Sequence, residues 1–294
     1  MNRVLLIDGQ NLAYRARHRF INFTNARGES SSVAYGGPFM VSSVLRKFPS
    51  SICYVVFDGG RAPERKAIWP EYKNRDKQDV HDNFYQQLQD FRTILTNLGV
   101  TVVLPKGEEA DDYLYKIARK HKKVSKTIIS SDKDFVPMLD PYTKIYNPSK
   151  DALISTLNVR SLYGFTEKEF TDYLILKGDK SDHIPGVTGL GDVRIRELLD
   201  LYGSIDDMIA EYKVKGNVGK FTRYMPELMA VYERNFMLIS LRYFHNKFLR
   251  HKPIPIMEPT WDLEVVRKVS RKYGISAFRQ EKFLKPFKQL WQTH

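Results

Sequence analysis

The sequence predicts an α/β fold, a mostly parallel sheet flanked by helices with a smaller helical region after it, on three observations. Short apolar runs recur with helical stretches between them. The runs lack the in-out alternation of a sheet with one wet face, so both faces are covered. From about Leu157 the pattern turns mostly helical.

The first strand is expected over Val4 to Ile7 and the second over Ile52 to Phe57. Residues Gly59 to Lys77 carry Arg61, Arg65, Lys66, Lys73, Arg75 and Lys77 with little apolar periodicity, which reads as an exposed basic loop. Asp79 to Leu98 places Phe84, Leu88, Phe91, Leu95 and Leu98 three or four apart, the spacing of an amphipathic helix, closed by Gly99. Further strands are expected over Val100 to Leu104 and Thr127 to Ser130, with a helix running from Glu109 towards His121 between them. The second half breaks at Gly186 to Gly191 and at Gly216 to Gly219. Residues 1–156 are thus expected as an α/β core and 157–240 as a helical region. Residues 241–294, with 12 Lys/Arg against 4 Asp/Glu, would be basic helices packing on the core.

Composition sets the outer bounds. A chain of 294 residues, 42% hydrophobic, can bury one large core or two smaller ones, which excludes a disordered protein. A net charge of +13 fits a polyanionic partner, nucleic acid first among them. The single cysteine, Cys53, lies inside an apolar run and reads as a buried structural thiol, and it excludes a disulfide framework within the chain. No signal-peptide pattern precedes Val4, and no apolar stretch approaches the roughly 20 residues of a membrane span. The expectation is a cytoplasmic protein, of a bacterium or a phage-infected cell, that acts as a monomer and not at a membrane.

Against that basic background, nine acids occupy strand ends and helix starts: Asp8, Asp58, Glu109, Asp111, Asp112, Asp132, Asp134, Asp179 and Asp182. Asp8, Asp58 and the Asp132/Asp134 pair each follow a different expected strand, so a parallel sheet delivers them to one rim. Glu109 and Asp112, three apart, share a helix face with Asp111 beside them. Crowded carboxylates repel one another unless cations intervene. An all-oxygen set without His or Cys selects Mg²⁺ or Mn²⁺, and so many ligands suit two ions roughly 3.5 to 4 Å apart. Such a pair activates water against a phosphodiester.

The stretch Gly178 to Gly191 (GDKSDHIPGVTGLG) adds sharp turns between helices from Gly186, four residues after Asp182, with amides near Asp192 that can face a phosphate. Together with Val4 to Asn11 (VLLIDGQN), Val55 to Asp58, Pro70 to Lys73 (PEYK), Glu109 to Asp112 (EADD) and Ser131 to Asp134 (SDKD), it resembles the motifs of the 5′ nucleases. These are the flap endonucleases, the phage 5′ exonucleases and the N-terminal nuclease domain of bacterial DNA polymerase I. The motifs stand in family order over roughly the first 200 residues. Thr24 to Tyr35 and Asp58 to Lys73 are most like the polymerase I domain, and the chain resembles a free-standing enzyme.

The resemblance implies a PIN-like core bearing a basic arch at about residues 59–98, and an H3TH-like duplex clamp over 157–240. It implies a metal-dependent 5′-3′ exonuclease and flap endonuclease acting on DNA with 5′ ends, flaps or nicks, RNA–DNA hybrids included. A replication polymerase would be its partner. Asp8, Asp58 and Asp111, with Glu109 nearby, would surround one Mg²⁺, and Asp132, Asp134 and Asp182 a second, with Mn²⁺ able to substitute; Asp112 and Asp179 match outer positions. Lys73 matches a lysine that reaches the scissile phosphate, Tyr72 a residue stacking near the substrate end, and Arg65 a basic residue of the arch. Arg15, Arg75, Lys77, Gly186, Val187, Gly189, Gly191, Arg194 and Arg196 would contact DNA, with K⁺ at the 186–191 turn. One departure stands out: the family reads Tyr-Lys-x-x-Arg, whereas Arg75 follows Lys73 after one residue and Asp76 takes the expected place.

Other classes fit less well. A haloacid-dehalogenase phosphatase needs a second aspartate two positions after the first, where this chain has Gln10. A dinucleotide-binding oxidoreductase needs Gly-x-Gly-x-x-Gly after a strand. A DNA-junction binder of the same fold with a disabled site would lack carboxylates, and none of the nine is lacking. The basic run from Lys116 to Lys126 carries no role in this reading.

Overall fold

The computed structural model describes residues 3–60, 62–74 and 83–293. The chain opens with β1 (Arg3–Asp8), α1 (Gly9–Arg19), α2 (Ser32–Lys47), β2 (Ile52–Val56), α3 (Pro63–Ile68), α4 (Phe84–Thr96), β3 (Thr101–Val103), α5 (Ala110–Lys120) and β4 (Ser125–Ile129). A 3-10 turn (Lys133–Met138) leads to β5 (Thr143–Asn147) and β6 (Ala152–Ile154), then α6 (Val159–Tyr163) and α7 (Phe170–Lys177). A two-residue hairpin, β7 (Gly178–Asp179) with β8 (Ile184–Pro185), precedes α8 (Asp192–Tyr202), α9 (Ile205–Lys215), α10 (Met225–Ile239) and α11 (Leu241–Phe244). The chain ends with β9 (Ile256–Met257), α12 (Leu263–Lys272) and α13 (Glu281–Trp291).

The main sheet has the order β6-β5-β4-β1-β2-β3-β9, parallel except for its two edge strands. Its register sets Ile7 beside both Val55 and Ile129, so three strands end at one level. Each strand is buried on both sides, which is why the apolar runs do not alternate. Val4 and Leu6 share one buried cluster with residues of α5, α7, α8 and α10, while Leu5 and Ile7 share a second with residues of α1, α2, α4 and α13. Cys53 sits in the second layer with its thiol pushed up by burial, as expected of a structural cysteine.

The differences from expectation have local causes. The edge strands β6 and β9 and the neighbouring β5 carry weak periodicity, and β9 sits beside Pro255, so none stood out in the sequence. The described part of the fourth helix begins at Phe84, and residues 79–82 lie outside the described residues. Phe84, Leu88, Phe91 and Leu95 pack that helix into the core beside α2, so this end of the expected arch segment is interior. Nor is the 59–77 stretch simply an exposed loop: it contains α3, whose Arg65 is 3% exposed. Among the described residues no helix is long and apolar enough to cross a membrane.

Candidate active site

β1 is the point where the sheet order reverses: the chain moves outward to β2 and β3, then returns to place β4 on the other side of β1. In open α/β sheets the crevice beyond the strand ends at such a point is where ligands bind. Here it is a cavity of about 460 Å³ lined by Asp8, Asp58, Glu109, Asp111, Asp132, Asp134, Asp179 and Asp182, together with Lys73. Eight of the nine expected acids thus meet in one place.

Each is aimed by its own element. Asp8 caps α1, accepting from Asn11 N at 2.9 Å, while its other oxygen accepts from Ser130 Oγ at 2.9 Å. Asp58 leaves β2 and accepts from Ala110 N at 2.9 Å, so one acid of the site caps the helix that bears two others. Asp132 caps the 3-10 turn through Asp134 N at 2.9 Å. Asp179 draws in Ser181 N at 2.7 Å and Ser181 Oγ at 2.6 Å. Gly59 lets the chain pass Pro105 after Asp58, since a Cβ there would stand 1.5 Å from the Pro105 carbonyl oxygen.

The electrostatics are those of crowded anions. Burial, with repulsion from Asp58 and Asp132, pushes Asp8 up to about 7 despite its two hydrogen bonds. Desolvation and repulsion from Asp8 and Asp132 hold half-buried Asp111 well above the ordinary carboxylate range. Asp134 is raised in the same way, with Asp132 and Asp179 as the repelling neighbours. Its Oδ1 is buried without a hydrogen-bond partner.

A second cluster lies against the first. Arg65 donates to both oxygens of Asp112 at 2.7 Å and to Glu109 Oε2 at 2.8 Å. Tyr72 Oη donates to Glu109 Oε2 at 2.8 Å, and Lys73 Nζ to Glu109 Oε1 at 2.7 Å, with Asp182 Oδ2 3.5 Å away. Burial works to raise Glu109, yet Lys73 and Arg65 offset it and hold the carboxylate below its ordinary range. Lys73 is held above its usual range by Glu109, Tyr72 and Asp182 in spite of burial.

This cluster revises three expectations. Asp112 does not join the cavity; both its oxygens face Arg65. Arg65 is a buried clamp on Glu109 and Asp112 instead of an arch cation. Tyr72 is 3% exposed and bonded to Glu109, so in this conformation its ring is closed to a substrate. Lys73 does face the cavity, on a backbone with φ of 47°, and its amide donates to Asp182 O at 3.0 Å. Arg75 and Lys77 lie outside the described residues.

The expected DNA contacts divide similarly. Val187 is 4% exposed in the core and its amide donates to Leu176 O at 2.9 Å, so neither its side chain nor its N–H reaches outward. Gly186 packs on backbone, where a Cβ would stand 2.3 Å from Lys177 C; its small size serves the β7–β8 hairpin. Gly189, with φ of 80°, and Gly191 are exposed turn residues, and Arg194, also exposed, donates to Gly189 O at 2.8 Å. Arg196 lies 5.5 Å from the Phe165 ring centroid. Arg15 is tethered to Pro148 O at 2.6 Å and to Ser149. Sequence reading passed over Ser130, which bridges Asp8 and the Asp132 amide, and Asn11, which accepts from Ser131 N at 3.3 Å. The quoted VLLIDGQN motif contained the signal for Asn11; Ser130 had none.

The cavity suits hard divalent cations. Its donors are all oxygen, burial and mutual repulsion raise several of its acids, and Asp134 Oδ1 has no partner. Among the described residues no three His, Cys, Asp or Glu side chains stand grouped closely enough to hold a metal ion as they are.

Comparison with known proteins agrees with these features. Residues 3–167 match the family described as the 5′-3′ exonuclease N-terminal resolvase-like domain. The 5′-3′ exonuclease of Buchnera aphidicola subsp. Schizaphis graminum is 30% identical over 210 residues, 70% of this chain and 72% of that protein. Thermostable DNA polymerase I of Thermus aquaticus is 32% identical over 209 residues, 70% of this chain but 25% of the polymerase. The bacteriophage T5 flap endonuclease, solved as a pseudo-enzyme-product complex with DNA and metal ions, superposes with a TM-score of 0.70 at 18% identity, covering 99% of this chain and 100% of that one. The motifs, the acid-lined switch point and the match over more than half its length make this chain a member of the 5′-3′ exonuclease family of 5′ nucleases.

Proposed function

We propose that this chain is a divalent-metal-dependent 5′ nuclease that hydrolyses phosphodiester bonds in DNA bearing 5′ ends, nicks or flaps. The observation that carries the reading is the cavity itself: eight acids converge in it, and burial together with repulsion from one another raises Asp8, Asp111 and Asp134. Asp8, Asp58, Asp111 and Glu109 would hold one Mg²⁺, and Asp132, Asp134 and Asp182 a second, with Asp179 alongside; Mn²⁺ would serve in either place. Ions held by these residues would supply a lowered pKa for a bound water and charge stabilisation for the leaving oxygen.

The chain's own residues do the rest. Lys73 occupies the cavity as a built-in counter-ion to Glu109 and Asp182. Its transfer to a phosphate would free the Glu109 carboxylate and bring a point charge to the reacting group together. Arg65 keeps Glu109 and Asp112 fixed while Lys73 moves. The 157–240 helices would bind duplex, with backbone phosphates meeting Gly189, Gly191, Arg194 and Arg196. The likeness to polymerase I supports a polymerase as partner, with RNA–DNA hybrid ends among the substrates.

Incubation with nicked duplex and 5′-flap DNA, in Mg²⁺ and then in EDTA, tests the reading. Cleavage in Mg²⁺ that EDTA abolishes is expected. DNA binding without metal-dependent cleavage would return the protein to the junction-binder reading.

A further inference from the structure

The basic run Lys116 to Lys126 splits in the fold. Lys116 turns inward and donates to Leu249 O at 2.6 Å and to Lys252 O; Lys126 donates to His121 O at 3.0 Å and Val124 O at 2.8 Å. Arg119, Lys122 and Lys123 are exposed and line a groove of about 560 Å³ together with Tyr142 and Arg242. Through the shared walls of Tyr115, Pro137, Met138 and Arg242, this groove continues into a cleft of about 730 Å³. The cleft adds Lys168, Lys247, Phe236 and Tyr243, and one of its walls is Asp134 of the acid cavity.

Among the described residues, none of Arg119, Lys122, Lys123, Lys168, Arg242 and Lys247 is held in an ion pair. Elsewhere Lys215, Lys220 and Lys288 are paired, with Glu211, Glu197 and Glu281. The acids lining the groove and cleft, Asp134, Asp140, Glu167 and Asp172, are fewer than their cations. Cations without partners beside aromatic rings suit a phosphate chain whose bases are open to stacking, which a single strand offers and a duplex withholds.

We propose that this groove binds single-stranded nucleic acid, with the six cations along the phosphates and Tyr115, Tyr142 and Tyr243 against bases, on a path that meets the acid cavity at Asp134. The binding it requires is independent of cleavage.

Fluorescence anisotropy of labelled oligothymidylate in EDTA tests it, comparing the parent with a Lys122→Glu/Arg242→Glu double variant. At about 0.7 in salt slope per phosphate contact on a single strand, the variant should lose roughly 1.4 of slope and about tenfold or more in affinity. Cleavage of a nicked duplex should stay within about twofold, because these contacts are electrostatic and local to the groove. Lys268→Glu/Arg271→Glu on α12, packed on the opposite face of the sheet, is the control for net charge. Unchanged oligothymidylate affinity, or an equal loss from the control pair, would overturn the groove. If no DNA is cleaved at all, the nuclease reading fails while the oligothymidylate measurement still decides this one.

Discussion

Asp111 and Asp112 are consecutive residues at the start of one helix, and they meet opposite environments. Asp112 is wholly buried and gives both oxygens to Arg65. Asp111, one step and about 100° further around the helix axis, faces Asp8 and Asp132 and makes no ion pair among the described residues. The contrast teaches that depth of burial does not by itself mark a functional acid: the deeper of the two carries a counter-charge, and the one at the cavity makes no ion pair among the described residues. In this pair the compensated acid holds the fold, and the uncompensated one faces the cavity.

The largest effect expected from this contrast is on stability. Arg65→Met strands Asp112 in the interior and should cost about 3–5 kcal/mol in denaturant unfolding, as breaking a buried pair from one side does; a loss near zero would mean that Asp112 reaches water. Asp111→Asn should do the reverse. Removing a frustrated charge should leave the melting temperature unchanged or raised, while cleavage falls by roughly 100-fold or more, the scale of losing a metal-ligand contribution of several kcal/mol. A fall in both quantities would make Asp111 structural.

Lys73→Ala sits between the two, since Lys73 belongs to both clusters. We expect kcat to drop about 30-fold, near 2 kcal/mol, with DNA affinity nearly intact. Equal losses in rate and binding would reduce Lys73 to a phosphate anchor.

The smallest effect belongs to an uncompensated acid that nevertheless has a structural job. Burial pushes Asp172 up to about 6, although it accepts from Ile205 N at 3.0 Å and so anchors the start of α9. An acid raised in the folded state binds more protons there than in the unfolded chain, so stability should decline as pH rises from about 4 to 6. Asp172→Asn keeps an acceptor for Ile205 and should flatten that slope in urea titrations; an unaltered slope would assign it to other groups.

Much of this was legible in the sequence because it depends on local order. A carboxylate directly after a buried parallel strand lies at the sheet's edge, so Asp8, Asp58 and Asp132 could be grouped before any contact was known. The Arg65 clamp could not be read, because its partners are 44 and 47 residues away and its own neighbours are charged and polar. The same blindness covered Val187, whose place between glycines suggested a surface turn although its side chain fills the core beside Leu190 and Ile195. The edge strands escaped for a different reason: two or three residues of pairing, as in β6 and β9, are too few to impose a period.

The bond from Ala110 N to Asp58 has a spectroscopic consequence. A cation drawing on the Asp58 carboxylate must share it with that amide, so the ¹⁵N–¹H signal of Ala110 becomes an internal indicator of ion occupancy. It would register titration with Mg²⁺ in the absence of any nucleic acid, and report from a single backbone position whether the cavity has filled.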